Sequence, residues 1–271
     1  MPLQLATRRS ALPIPIPARP SARRPRGRSL TTAPPVALLA LFALFAVLAP
    51  PAFAAPAAAP VPSPSVPSVA PPLVVFLGDS LTAGLGVAAD QAYPALLEKA
   101  LRADGIAVRV LNAGVSGDTT AGGLRRLPWL LAQHPAVVAV GLGANDGLRA
   151  QPVAEIDRNL RQIVARVRAA GAEVLLLGMQ IPPNYGPDYA GSFAAIYPRL
   201  AHDLHVPLVP FLLAGVGGVP ELNQADGVHP TPAGHVKVAA TVKPYLEALL
   251  RQDAAHAAAR PAAGRAGAPR P

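Results

Sequence analysis

Five short apolar runs set the limits on what this chain can fold into: Leu73–Leu77, Val108–Leu111, Val137–Leu142, Val174–Leu177 and Leu208–Val209. Each is followed at once by Gly, Asn or Pro. Runs this short and this continuous read as strands buried on both faces. Between them lie longer segments with helical spacing. Val153, Ile156, Leu160, Ile163, Val164 and Val167 mark one apolar stripe, and Val238, Val242, Tyr245, Leu246 and Leu249 mark another. Strands alternating with amphipathic helices predict an α/β fold, a parallel sheet between two helical layers. No internal repeat is present.

Sites in such folds form outside the carboxyl ends of the strands. The first run ends in Gly78-Asp79-Ser80, and the second leads into Asn112-Ala113-Gly114-Val115-Ser116-Gly117-Asp118. The third leads into Gly143-Ala144-Asn145-Asp146-Gly147, and Asp226-Gly227-Val228-His229-Pro230 precedes the last helical stripe. Polar residues and glycines therefore collect at one edge of the sheet.

Serine, histidine and aspartate among them suit nucleophilic catalysis. A serine hydroxyl is a weak nucleophile until a base reaches it. His229 is the candidate base, since an imidazole ordinarily titrates near working pH. Asp226, three residues earlier, can be turned onto the imidazole Nδ1, fixing its tautomer. Taken singly, Ser80 reads better as a turn serine, and Asp226 with His229 also fits a helix cap and a surface histidine. Acyl transfer also needs donors for an oxyanion. The candidates are the backbone N–H groups of Ser80 and Gly117 and the side-chain amide of Asn145. Asp79, Asp118 and Asp146 read as loop anchors accepting backbone hydrogen bonds. His134, His202, His205, His235 and His256 match no block and read as surface or helix-end residues.

Ser80, Gly117, Asn145 and His229, in that order and with Asp226, resemble the blocks that define the SGNH, or GDSL, hydrolase superfamily. The resemblance narrows to the bacterial periplasmic arylesterase, acyl-CoA thioesterase I and lysophospholipase L1 group. It is carried by Val115–Thr119, Arg126-Leu127-Pro128, Asn145–Arg149, Met179–Pro182, Asn184-Tyr185-Gly186 and Asp226–Pro230. It implies a three-layer α/β/α sandwich with a five-stranded parallel sheet. It also implies hydrolysis of carboxylic esters and thioesters (aryl esters, acyl-CoA, lysophospholipids) with no cofactor and no metal. By the same analogy Leu148 and Pro182 are expected to line an acyl channel. Gly114 departs from the many members that carry serine there. A carbohydrate acetylesterase of the same superfamily, or a non-catalytic binding domain, is the alternative. A dinucleotide site at Gly84-Leu85-Gly86 is disfavoured, because that motif begins seven residues beyond the strand end. No G-x-S-x-G elbow surrounds Ser80.

The ends of the 271-residue chain read differently from its middle. Seven arginines and no acid precede residue 29, the apolar stretch Val36–Ala49 follows, and Ala52-Phe53-Ala54 offers a small-x-small site. That order predicts a secretory signal over residues 1–54 and a periplasmic or secreted product. An uncleaved membrane anchor is the alternative. Fourteen apolar residues fall short of the roughly 20 a spanning helix needs. Residues 55–72, rich in Ala and Pro, read as a linker, residues 73–250 as the hydrolase domain and residues 251–271 as a disordered tail. The net charge of +9 belongs to the ends. Of 24 Lys and Arg, seven precede residue 29 and four follow residue 250, leaving 13 against 14 acids in the domain. That balance builds no basic face for a nucleic acid. The expected partner is a small acyl ester or thioester. The absence of cysteine rules out a cysteine nucleophile and disulfides.

Overall fold

The computed structural model describes residues 70–259. The signal-like segment, and all of the linker before Ala70, lie outside the described residues. Five strands form one parallel sheet: β1 (Leu73–Gly78), β2 (Arg109–Gly114), β3 (Val137–Gly141), β4 (Glu173–Leu177) and β5 (Leu208–Val209). Their spatial order is β2-β1-β3-β4-β5. The helices are α1 (Ser80–Ala83), α2 (Tyr93–Ala103), α3 (Thr120–Leu131), α4 (Ala144–Leu148), α5 (Val153–Ala169), α6 (Pro187–Ala194), α7 (Ile196–Leu204) and α8 (Pro232–Ala259). Helices α2 and α8 pack together, as do α3, α5 and α7, giving a helical layer on each face. The chain thus folds as the expected α/β/α sandwich.

All of β1 is buried, as are β3 and all but the first residue of β4. The α5 stripe buries Ile156, Leu160, Ile163, Val164 and Val167. Val238, Val242, Leu246 and Leu249 do the same for α8. Each such aliphatic side chain contributes about 1.5–3 kcal/mol on burial. One apolar core unites both layers with the sheet.

Two boundaries differ from the expectation by more than one residue. Strand β2 runs on through Asn112, Ala113 and Gly114, which the apolar pattern left in a loop. As the edge strand it has fewer buried side chains, and pairing to Phe76, Leu77 and Gly78 extends it instead. At the other end, residues 251–259 continue α8, so a disordered tail beginning at 251 is incorrect. The Glu247 carboxylate holds Arg251 one turn on, at 2.7 Å, and favours that continuation.

Three glycines decide where the first loop sits. The register sets Gly78 beside Gly114 on one side and Gly141 on the other, at the carboxyl ends of three strands. A Cβ on Gly78 would lie 1.9 Å from Thr82 Oγ1, and one on Gly114 would lie 2.2 Å from the Ala83 nitrogen. The single turn α1 therefore rests directly on bare backbone. Asn112 secures it by donating to the Thr82 carbonyl at 2.8 Å. Serine at 114, which many members carry, would need this turn to shift away from the strand.

Candidate active site

Ser80 is the first residue of α1 and is half-buried. Asp79 caps the turn by accepting from the Leu81 N–H at 3.0 Å. The loop before α8 brings His229 over Ser80. It closes as a hairpin: the Gln224 N–H donates to the His229 carbonyl at 2.7 Å, and Gly227 adopts φ +70°. Gln224, which the sequence reading passed over, fastens the loop by donating to the carbonyls of Leu85 and Pro230.

The His229 Nε2 lies 2.9 Å from Ser80 Oγ, and Nδ1 lies 2.7 Å from Asp226 Oδ2. Asp226 Oδ1 accepts from the backbone N–H groups of Val228 and His229 at 2.9 and 3.0 Å. These backbone donors, then the imidazole, hold the Asp226 carboxyl down to about 2, so it is charged at any working pH. A charged carboxylate accepts a hydrogen bond from Nδ1–H, which keeps the proton on that nitrogen and leaves Nε2 free to accept from the serine hydroxyl.

Gly117 sits in the loop after β2 with φ +78°, and only Arg149 Nη2, at 3.7 Å, would lie near a Cβ there. Arg149 donates to the Gly117 carbonyl at 3.1 Å. Beneath the loop, Arg126 donates to Asp118 at 2.8 Å and to the carbonyls of Ala113 and Gly78. One guanidinium thus joins the ends of β1 and β2 to the Gly117 loop. The sequence offered Arg126 only as part of a resemblance, with no role attached.

Asn145 is the second residue of α4, which follows directly on Gly143 with φ +116°. A Cβ on Gly143 would lie 2.3 Å from the Tyr197 hydroxyl, which donates to the Leu142 carbonyl at 2.9 Å. Asp146 accepts from the Thr120 N–H and hydroxyl at 2.9 and 2.6 Å, tying α4 to the start of α3. Asn145 in turn donates to Asp79 Oδ2 at 3.3 Å. Asp79 is 2% exposed, and burial pushes its carboxyl up to about 6, against the pull of the Leu81 N–H and of His229. The structure therefore brings Ser80, Gly117, Asn145, Asp226 and His229 around one point.

That point opens into a cleft of about 610 Å³. Leu148 and Pro182 line it, with Ile181, Phe211, Leu213 and Val228. Tyr185 and Tyr189 donate to the carbonyls of Leu148 and Gln151, pinning that wall to the segment around α6. Of the remaining histidines, His134, His202 and His205 are exposed. His235 is not: it is 1% exposed in the first turn of α8, correcting its surface assignment. It stands at helical spacing before Val238 and Val242, but its burial is decided by the packing of α8 against α2.

A family model for GDSL-like lipases and acylhydrolases matches residues 76–237. The chain is 48% identical over 178 residues to the esterase TesA of Pseudomonas aeruginosa, covering 65% of this chain and 89% of that protein. It is 43% identical over 181 residues to thioesterase 1/protease 1/lysophospholipase L1 of Escherichia coli K12, covering 66% and 86%. Its fold matches the crystal structure of the psychrotrophic esterase EstA from Pseudoalteromonas sp., solved with the enzyme inhibited by monoethylphosphonate. That match has a TM-score of 0.63 at 33% identity and covers 66% of this chain and 98% of that one.

Proposed function

The chain belongs to the GDSL-like lipase/acylhydrolase family and hydrolyses carboxylic esters and thioesters; from that premise we propose that Ser80, His229 and Asp226 form its catalytic triad. The observation that carries the reading is the unbroken relay from Ser80 Oγ through His229 to Asp226, at 2.9 and 2.7 Å. Ser80 Oγ attacks the acyl carbonyl carbon as His229 Nε2 takes the hydroxyl proton. The carbonyl π electrons move onto oxygen, where the N–H groups of Ser80 and Gly117 and the Asn145 amide receive the charge. Collapse expels the alcohol or thiol, which takes the proton from Nε2. Water then attacks the acyl-enzyme, giving its proton to the same nitrogen; the bond from the acyl carbon to Ser80 Oγ breaks, Nε2 returns the proton to Oγ, and the acid leaves.

Leu148 and Pro182 border the acyl chain in this reading. A largely apolar cleft of about 610 Å³ favours a chain longer than the acetyl group of a carbohydrate acetylesterase. Aryl esters, acyl-CoA and lysophospholipids are the proposed substrates. The basic, apolar, small-residue order of residues 1–54 supports export to the periplasm or medium. Among the described residues no helix is long and apolar enough to cross a membrane. Residues 55–72 serve as a linker and residues 73–250 as the catalytic domain in this reading.

The test is Ser80→Ala. It removes turnover of p-nitrophenyl esters and acyl-CoA and abolishes labelling by a fluorophosphonate, while the far-UV spectrum stays unchanged. Wild-type turnover in the purified variant would rule Ser80 out.

A further inference from the structure

Asp79 lies at the centre of the site yet has no place in the proton path. It precedes Ser80, borders the cleft and is almost fully buried. Its two oxygens are divided between two tasks. Oδ1 accepts from the Leu81 N–H at 3.0 Å and so fixes the turn that presents Ser80. Oδ2 accepts from the Asn145 side chain at 3.3 Å, across 66 positions of sequence.

An asparagine amide has one oxygen and one nitrogen at nearly equal positions, and rotation by half a turn exchanges them. Only the nitrogen can donate to an oxyanion. An ionised carboxylate only accepts, so the Asn145 atom that faces Asp79 must be the nitrogen. That nitrogen carries two hydrogens. One is directed to Asp79, and the second remains for the cleft that both residues line. The carbonyl oxygen of the amide, which would repel an oxyanion, is equally repelled by Asp79 and cannot take the place of that nitrogen.

We infer that Asp79 is a positioning residue of the oxyanion hole, selecting the one amide orientation of Asn145 that can receive negative charge while holding the Ser80 N–H in the same turn. The inference rests on the reading of Ser80, Gly117 and Asn145 as oxyanion donors. It explains why a carboxylate is kept in a buried position beside the nucleophile, where desolvation works against it. Other groups around the site leave this task to Asp79. Asp146 is engaged with Thr120 and Asp118 with Arg126, while the hydroxyls of Tyr93 and Tyr197 bond Thr82 and the Leu142 carbonyl. His229 faces Ser80 and Asp226.

A double-mutant cycle on kcat and KM tests it, using the full domain and a p-nitrophenyl ester. Asp79→Asn keeps one oxygen for the Leu81 cap but sets an amide, no longer an obligate acceptor, against Asn145. Asn145→Ala alone lowers kcat about 10²–10³-fold with KM little changed. Asp79→Asn lowers kcat by about 10–10²-fold, also with KM little changed, since one oxyanion donor is misdirected rather than deleted. The double variant is then no slower than Asn145→Ala, because the orientation of a missing amide cannot matter. Circular dichroism and a thermal melt establish folding. If Asp79→Asn does not fold, Asp79→Ser, which retains a capping hydroxyl, enters the same cycle. Wild-type kcat in the Asp79 variant overturns the inference. So does a double variant slower than Asn145→Ala by the full factor of the Asp79 change. In both cases Asn145→Ala stays impaired and the oxyanion reading survives. Wild-type kcat in Asn145→Ala removes that reading and this inference together.

Discussion

Replacing His235 by asparagine should change how the domain responds to acid. The His235 ring is 1% exposed and lies nearly parallel to Tyr93, with centroids 6.3 Å apart. Its Nδ1 accepts from the Tyr93 N–H at 3.3 Å, and its Nε2 has no hydrogen-bond partner among the described residues. Burial, and then the nearby His229, push its pKa from 6.5 down to about 4. Between those values the unfolded chain binds a proton that the native site refuses. The contribution to stability is thus complete above the unfolded pKa and is lost as pH falls toward 4. At about 1.4 kcal/mol per pH unit, the window of about 2.5 units amounts to about 3 kcal/mol. Asp79 acts in the opposite sense: its raised pKa makes the native state bind the extra proton between about 6 and 3.8, which adds stability as pH falls. A melting curve of the wild type alone therefore mixes the two. The difference between wild type and His235→Asn cancels Asp79 and isolates His235. Asparagine can still accept from the Tyr93 N–H and does not titrate. Whatever the cavity costs at pH 7.5, the gap in Tm should move by about 6–12 °C in favour of the variant by pH 4, taking about 2–4 °C per kcal/mol for a domain of this size. Scanning calorimetry at half-unit steps measures it. Parallel Tm profiles across that range would falsify the assignment of His235 as a buried neutral base.

Three further outcomes are expected. Arg126→Leu leaves the Gly78 and Ala113 carbonyls and Asp118 without their shared donor, and should cost about 2–4 kcal/mol in urea unfolding; unchanged stability would mean that water replaces the guanidinium. Asp226→Asn should lower kcat by roughly 10²–10⁴-fold through loss of the required imidazole tautomer. Because the Asp226 pKa is held down to about 2, it should leave the acid limb of the wild-type rate profile to other groups, which a kcat profile from pH 4 to 9 checks. Exported protein should begin at Ala55, and residues 70–252 should retain full esterase activity; N-terminal sequencing and assay of the shortened chain examine each half, and an intact, membrane-retained chain would support the anchor alternative.

Local pattern alone was enough for much of this protein. Five apolar runs and two stripes determined a parallel sheet between helical layers, because burial on both faces leaves a continuous apolar signature in a strand. Four polar blocks following strands, or preceding a helix, had to meet at one edge, because a parallel sheet puts every strand's carboxyl end on the same side. Ser80, Gly117, Asn145, Asp226 and His229 were legible for that reason. Leu148 and Pro182 came by analogy and do border the cleft. What lay beyond the sequence depends on register and on contacts between segments far apart in the chain. The alignment of Gly78 with Gly114 and Gly141, which lets α1 rest on backbone, exists only once three strands pair. Arg126 could not be distinguished from a surface cation until its three acceptors converged, and His235 could not be recognised as buried until α8 lay against α2. The bond from Asn145 to Asp79 was likewise decided by tertiary structure, because a hydrogen bond requires an approach within about 3.5 Å that no one-dimensional spacing specifies.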